Sequence, residues 1–96
     1  MFIITLTFTE NRGQAADHMA AHNDWLAQGF ADGIFLASGS LRPAAGGVIL
    51  AQGASQEEIA ARLAQDAFVA HNIVQPTIRE VALSRTDPRL DFLKAP

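Results

Sequence analysis

The sequence contains no cysteine, and this absence removes several kinds of chemistry together. The chain can form no disulfide, no thiolate nucleophile and no zinc site with sulfur ligands. Positive charge is also scarce: Lys94 is the single lysine, and six arginines are scattered along the 96 residues. No basic cluster could neutralise a run of phosphates, so a nucleic acid is not expected as a partner.

Long apolar runs are missing as well, so the sequence predicts no membrane-spanning segment and no membrane partner. The apolar start, Met1–Ile4, has no basic residues before it, and threonines at positions 5, 7 and 9 interrupt the apolar pattern after it. This stretch is therefore not expected to be a signal peptide. We expect a cytoplasmic protein, and the absence of cysteine agrees with that location.

The composition that remains is typical of a small globular protein. Hydrophobic residues make up 49% of the chain and the formal net charge is -3, which argues against disorder. The length predicts a single domain over residues 1–96, with a core of about 1–84 and a C-terminal tail at 85–96. Domains of this size often obtain part of their burial by association.

Hydrophobic periodicity predicts four strands and two helices in the order β-α-β-β-α-β. The strands are expected at Phe2–Phe8, Ile34–Ser40, Gly46–Ala51 and Thr77–Leu83, and the helices at about Gln14–Ala31 and Gln56–Gln65. This is the ferredoxin-like order, an α+β fold with a four-stranded antiparallel sheet. Ser55 and Glu58 have the spacing of a capping box before the second helix. Pro76 is expected to mark a strand start, a bulge or an edge.

Two helices would cover only one face of this sheet. Because the strand residues on both faces are largely apolar, the uncovered face predicts a homodimer in which two sheets pack face to face. In the tail, Leu90, Phe92 and Leu93 are too apolar to remain in water. We expect these three side chains to lie against the body of the domain or against a partner subunit.

The first helix places His22 among apolar residues. Met19, His22, Leu26 and Phe30 recur at helical spacing, with Trp25 and Gly29 beside them, and predict a buried stripe. Residues of the opposite face are expected to be solvated; these are Asn23, Asp24, Gln28 and Asp32. His22 is then either a core histidine bonded to a backbone carbonyl or an acid–base group lining a pocket.

Asp66 lies where the second helix should end, next to the unfavourable negative end of the helix dipole. Two interpretations remain open. Asp66 could cap a further short turn through Ala70, or it could accept a hydrogen bond from His22. In the second case the carboxylate would fix the imidazole tautomer and make His22 a competent general base.

Two other constellations receive less support. His18 and His22 are spaced to bind a metal, with Asp66 or His71 as a third ligand, but the metalloprotease pattern is absent and no metal is expected. Ser38 lacks the flanking glycines of a nucleophile elbow and is better placed as a hydrogen-bond donor in a pocket wall.

Glycines 39, 46 and 47 lie near the end of the predicted hairpin. They permit turn chemistry or a close approach of the backbone to another group.

The motifs together resemble the YciI-like (YCII-related) family, and the resemblance extends to about Leu83. The residues that carry it are Met1-Phe2-Ile3, His22, Trp25-Leu26, Phe35-Leu36-Ala37-Ser38-Gly39, Gly46-Gly47-Val48-Ile49 and Asp66-Ala67-Phe68. It implies a dimeric α+β barrel similar to those of muconolactone isomerases and antibiotic-biosynthesis monooxygenases. It also implies an active site on the pair His22 and Asp66, with Ser38 and Gly39 lining the pocket. Most members have no known function, and at least one resembles a dehydrochlorinase acting on a hydroxylated aromatic ring.

The chain departs from the family pattern at two places. Gly39-Ser40 stands where Gly-Pro is common, and Asp66-Ala67-Phe68 stands where Asp-Pro-Phe is common. Loss of the proline after Asp66 loosens the turn that places the carboxylate.

These observations lead to the hypothesis of a small homodimeric enzyme that needs no cofactor and no metal. His22 would move a proton, Asp66 would orient it, and Ser38 with the Gly39 backbone would hold a polar group of the substrate. Trp25 and Phe68 would supply apolar walls, with core packing as the alternative role for both. The expected reaction is elimination or isomerisation of a small cyclic or aromatic acid. The alternative is a non-catalytic dimeric module that binds a small ligand or is purely structural.

Overall fold

Four antiparallel strands form the sheet of the computed structural model, which describes residues 1–94. The strands are β1 (Phe2–Phe8), β2 (Phe35–Leu41), β3 (Gly46–Ala51) and β4 (Val74–Glu80). Their order across the sheet is β2-β3-β1-β4, and every neighbouring pair is antiparallel. The predicted ferredoxin-like α+β fold is confirmed.

The last strand lies earlier in the chain than predicted. β4 starts at Val74 rather than Thr77 and ends at Glu80 rather than Leu83. Pro76 therefore lies inside the strand, opposite Leu6 of β1. Proline is tolerated here because β4 is an edge strand. It has a neighbouring strand on one side only, so the missing backbone N–H of Pro76 can lie on the unpaired side.

Three α-helices pack on one face of the sheet. A 3₁₀ turn at Arg12–Gln14 leads into α1 (Ala15–Ala31); α2 spans Gln56–Leu63 and α3 is a single turn at Ala67–Ala70. The predicted capping box is present at the start of α2. The Glu58 N–H donates to the Ser55 hydroxyl at 3.1 Å, and the Ser55 N–H donates to the Glu58 carboxylate at 2.9 Å. None of the helices described between residues 1 and 94 has the length and apolar character needed to cross a bilayer.

The core lies between these helices and the sheet. Alternate residues of β1 face the helices, as its period of two predicts. The buried hydrophobic residues are Phe2, Ile4, Leu6, Phe35, Ile49, Ala51, Ile59, Leu63, Phe68, Ile73 and Val74.

The buried side of α1 is rotated relative to the predicted stripe. Met19 and Phe30 are exposed, whereas Trp25 and Leu26 pack against the core and Gly29 is buried. The reason is a close approach at Gly29, where a Cβ would lie 2.1 Å from an atom of the Phe35 ring. The absence of a side chain at Gly29, rather than the bulk of Phe30, decides which side of the helix meets the sheet.

The opposite face of the sheet carries the remaining alternate residues of each strand. Ile3 is paired with Leu50, and Thr5 is paired with Val48 on one side and Thr77 on the other. The hydroxyls of Thr5 and Thr77 hydrogen-bond to each other. The helices α1 to α3 all lie on the other side of the sheet and leave this face uncovered. The face is apolar at Ile3, Val48 and Leu50.

The tail continues from β4 and then leaves the body. The Val81 N–H donates to the Met1 carbonyl at 2.8 Å, and a 3₁₀ turn forms at Pro88–Leu93. Leu90 and Phe92 are 46% and 60% exposed, so the expectation that they lie against the body of their own chain is wrong. Contact with a partner subunit stays a prediction, and residues 95 and 96 of the predicted tail lie outside the described part of the chain.

Candidate active site

A hydrogen bond joins His22, from the middle of α1, to Asp66, the N-cap residue of α3. The Nδ1 atom of His22 lies 2.7 Å from the Asp66 Oδ1 atom. The same oxygen accepts a hydrogen bond of 3.2 Å from the backbone N–H of Phe68. Both interpretations of Asp66 therefore hold together, because one carboxylate oxygen caps α3 and binds the imidazole.

The two side chains of this pair differ in burial, and their hydrogen bond determines which imidazole nitrogen carries the hydrogen. The Asp66 side chain is fully buried, whereas 13% of the His22 side chain is exposed. An ionised carboxylate can only accept hydrogen bonds, so a neutral His22 carries its hydrogen on Nδ1 and a lone pair on Nε2. The second carboxylate oxygen, Oδ2, is buried and has no hydrogen-bond partner within the described residues.

Aromatic rings hold the plane of the imidazole. The Phe68 ring lies parallel to that of His22, with 4.0 Å between the centroids and 4° between the planes. Trp25 is tilted against the imidazole at a centroid distance of 5.9 Å. With one face against Phe68 and one nitrogen on Asp66, the imidazole has its Nε2 edge left for an external group.

A cavity of about 280 Å³ lies beside His22, between α1 and the sheet. His22, Ser38, Gly39 and Phe68, four of the predicted site residues, line it, and Asp66 lies behind His22. The remaining lining residues are Leu6, Phe8, Met19, Asn23, Leu26, Ser40, Gly46, Gly47, Val48, Ile49 and Val74.

Trp25, the other residue predicted to form a wall, does not line this cavity. Its indole Nε1 donates to the carbonyl of Arg62 in the last turn of α2 at 2.9 Å. Its ring packs edge-on against Phe35 at a centroid distance of 5.2 Å. This placement matches the alternative role of core packing, and it ties α1 to α2 behind the site.

Sequence reasoning missed two polar residues of the cavity. Asn23 is exposed, as expected, and it also lines the cavity next to His22 in α1. Ser40, which occupies the position where the family commonly has proline, adds a hydroxyl to the wall formed by β2. The alternation of β2 could have indicated Ser40, because Ser38 and Ser40 must point to the same side of the strand.

Gly46 shapes the floor of the cavity through a close backbone approach. Its φ is +139°, and a Cβ at this position would lie 1.9 Å from the Leu6 carbonyl oxygen. Of the two roles predicted for these glycines, the close approach therefore applies at Gly46. A larger residue would push β3 away from β1 at the cavity.

The two histidines of the possible metal site are engaged separately. His18 stacks on His71, with ring centroids 3.8 Å apart and 20° between the planes, while His22 binds Asp66. Within residues 1–94, no three His, Asp or Glu side chains are grouped so that they could hold a metal ion.

Comparison with known proteins places the chain in a family. The fold is similar to that of 5-chloro-2-hydroxyhydroquinone dehydrochlorinase (TftG) from Burkholderia phenoliruptrix AC1100, whose structure contains 2,5-dihydroxybenzoquinone. The similarity has a TM-score of 0.71 and covers 83% of this chain and 91% of that one; at 15% identity it shows a shared fold. No curated protein matches the sequence significantly. The YCII-related domain matches residues 1–82, and the chain therefore belongs to the YCII-related family.

Proposed function

We propose that the protein is a small acid–base enzyme in which His22 transfers the proton and Asp66 orients His22. The observation that carries this proposal is the 2.7 Å contact between His22 Nδ1 and the buried Asp66 carboxylate, at the wall of a cavity. A histidine that is held by a carboxylate and presents its second nitrogen to a ligand has the arrangement of a general base. TftG, a dehydrochlorinase with the same fold, shows that this architecture accommodates an enzyme.

The cavity favours a small ring that carries hydroxyl or carbonyl oxygens. Phe68, Leu26 and Val74 provide apolar walls, and the polar lining groups are His22, Asn23 and the two serines of β2. No arginine or lysine is among the lining residues, so a carboxylate would have no cation to pair with there. The acidic group of the substrate is therefore proposed to be a ring hydroxyl, in line with the hydroxylated ring in the name of TftG.

Proton transfer alone accomplishes the proposed reaction, so the proposal includes no cofactor and no metal. His22 Nε2 takes a proton from a ring hydroxyl or an activated C–H, and the released electron pair forms a new double bond. In an elimination from a hydroxylated aromatic ring, the imidazolium first returns the proton to the ring carbon that carries the leaving group. Deprotonation of a second ring hydroxyl then forms a second carbonyl and expels the leaving group with its bonding electrons, and the second proton passes to solvent. In an isomerisation, the imidazolium returns the proton to another carbon. Ser38 and Asn23 would hold the oxygen on which negative charge develops.

A homodimer is part of the proposal. The face that carries Ile3, Val48 and Leu50 is apolar, and α1 to α3 lie on the other side of the sheet. Two such faces packed together would remove these three apolar side chains from water. The expected cellular location is cytoplasmic.

A second function, binding a small ligand without catalysis, is favoured by one specific observation. Asp66 Oδ1 caps α3 at the same time as it binds His22, so the pair also connects two helices. In this alternative the cavity captures a ligand and the His22–Asp66 hydrogen bond is structural.

Replacement of His22 separates the two functions. Turnover is screened with halogenated and non-halogenated hydroxyquinols, and binding is measured with 2,5-dihydroxybenzoquinone. We expect His22→Ala to lower turnover by about 10²–10⁴-fold while the thermal unfolding transition persists. His18→Ala, four residues earlier on the same helix, is the matched control and should keep turnover. If His22→Ala abolishes folding, or if the wild-type protein binds the quinone and turns over no ring, the binding or structural role replaces catalysis.

A further inference from the structure

The last residues of the chain lie beyond the family domain and form a folded element of their own. The YCII-related domain ends at residue 82, and we name residues 83–94 the C-terminal arm. Asp87 accepts a hydrogen bond from the Arg89 N–H at 2.9 Å, and the Thr86 hydroxyl donates to Asp91 at 2.5 Å. The Leu90 N–H donates to the Asp87 carbonyl at 2.8 Å. These contacts give the arm a defined turn rather than an irregular end.

This turn presents apolar side chains to water. Leu90 and Phe92 are the most exposed large hydrophobic residues of the described chain, at 46% and 60%. The turn that carries them does not pack extensively against any helix or strand of its own chain. An ordered turn that exposes a leucine and a phenylalanine has the character of one half of an interface.

Charge is divided unevenly between the arm and the rest of the chain. Residues 1–82 contain four arginines and eight acidic residues, a net charge of -4. The arm has three cations, Arg85, Arg89 and Lys94. Arg89 is paired with Asp87 at 3.0 Å and Lys94 with Asp91 at 3.5 Å, so Arg85 carries the net positive charge of the arm. The surface that complements this arm electrostatically is the body of another molecule of the same chain.

That body offers an apolar groove of suitable character. The groove has a volume of about 310 Å³ and runs between α2 and the edge strand β4, on the helix side of the sheet. Its lining residues are Gln56, Ala60, Leu63, Ala64, Val69, Pro76 and Ile78. Glu57 follows Gln56 in the first turn of α2, so one acidic residue adjoins this end of the groove.

We propose that the C-terminal arm of each chain docks in the α2–β4 groove of a second copy. Leu90 and Phe92 enter the groove, and Arg85 of the arm faces Glu57 in the first turn of α2. Because each copy has one arm and one groove, a two-fold axis satisfies both and closes the assembly as a dimer. The groove lies on the helix side, so arm exchange is compatible with sheets that pack through their opposite faces.

Paired substitutions in the full-length chain test the docking. Sedimentation equilibrium is measured for the double variant Leu90→Ser/Phe92→Ser and for Ala60→Arg, which obstructs the groove. We expect each to raise the dimer dissociation constant by about tenfold or more. Ala61→Arg is the matched control, since Ala61 is the next exposed position of α2 and does not line the groove; it should leave the constant within about twofold. A dimer that is equally stable in all variants, or a monomeric wild-type protein, would overturn the proposal.

The absence of cysteine permits a direct test of which molecule the arm occupies. A nitroxide attached to Lys94→Cys on unlabelled chains is mixed with ¹⁵N-labelled chains that lack the nitroxide. Docking between copies predicts paramagnetic broadening of the Ala60, Ala64 and Val69 amides in this mixture. If the amides broaden only when one chain carries both the nitroxide and ¹⁵N, the arm folds back on the groove of its own chain. That result would refute exchange between copies. The result is independent of catalysis, because neither measurement uses turnover or His22.

Discussion

The imidazole of His22 lies parallel to the phenyl ring of Phe68, with 4.0 Å between the ring centroids. The backbone N–H of the same phenylalanine donates to the Asp66 oxygen that binds His22. The ring of Phe68 thus packs on the face of the imidazole, and the backbone N–H of Phe68 binds the carboxylate. One residue of α3 positions both members of the pair.

Replacement of Phe68 by leucine should therefore disturb the histidine without removing its carboxylate. An aromatic pair is worth about 0.5–1.5 kcal/mol beyond the burial of its surface, so we expect Phe68→Leu to lower the free energy of unfolding by about 1–2 kcal/mol. The His22 ring resonances should broaden as the imidazole gains freedom. Chemical denaturation and imidazole NMR measure the two effects. Phe30→Leu is the control: Phe30 pairs with Phe35, outside the cavity, and its loss should leave the His22 signals sharp.

The position after Asp66 should accept the proline that the family commonly has there. Asp66 has φ -69° and ψ 131°, the extended backbone that a residue before proline prefers. Ala67 is the first residue of α3, where proline fits the helix. Ala67→Pro should therefore raise the free energy of unfolding by about 0.4–1 kcal/mol, because the unfolded chain loses freedom. A lower free energy of unfolding in a urea titration would contradict this account of the turn. Ala70→Pro is the control at the end of the same turn. It should be strongly destabilising, because the Ala70 N–H donates to the Asp66 carbonyl.

The contact between α1 and β2 predicts that Gly29 tolerates no side chain. Alanine usually stabilises a helix interior relative to glycine by about 0.5–1 kcal/mol. At Gly29 the new methyl would lie 2.1 Å from the Phe35 ring, and such overpacking costs about 1–3 kcal/mol. We expect Gly29→Ala to lower the thermal midpoint. Gly13→Ala, with nothing within 4 Å of the added Cβ, should leave the midpoint unchanged or raise it.

The capping box of α2 predicts a defined dependence of stability on pH. The hydrogen bond from the Ser55 backbone N–H holds the pKa of Glu58 below its usual range. A carboxylate with a lowered pKa in the folded state stabilises the protein above its unfolded pKa, and this contribution is lost as pH falls through the folded value. Glu58→Gln should therefore be less stable than wild type at neutral pH, and the difference should shrink in acid. The neighbouring Glu57→Gln is the control, because it also removes a charge from the first turn of α2 but leaves the capping box intact.

The sequence predicted the fold well because its signals are local. The alternation of β1, the glycines at the start of β3 and the spacing of Ser55 and Glu58 each determine a structure within a few residues. β4 was placed too late because proline usually marks the start of a strand, and only the sheet order shows that Pro76 lies on an edge.

The candidate site was less predictable because it depends on contacts between elements. Residue spacing in α1 placed His22 near the apolar side but could not show that Asp66 of α3 lies within hydrogen-bond distance. Phe30 was assigned to the buried side of α1 because helical periodicity counts large residues, whereas the close approach of α1 to β2 depends on the missing side chain at Gly29.

The central claim is that Asp66 fixes the His22 tautomer and leaves Nε2 free to exchange a proton with a ligand. Imidazole ¹⁵N NMR of the wild-type protein, with and without 2,5-dihydroxybenzoquinone, tests this most directly. We predict a hydrogen on Nδ1 and a lone pair on Nε2 in the neutral form, with the ligand shifting the Nε2 resonance and Asp66→Asn removing the preference for this tautomer. A hydrogen on Nε2 with Nδ1 as the acceptor, or an Nε2 resonance that ignores a bound quinone, would contradict the account.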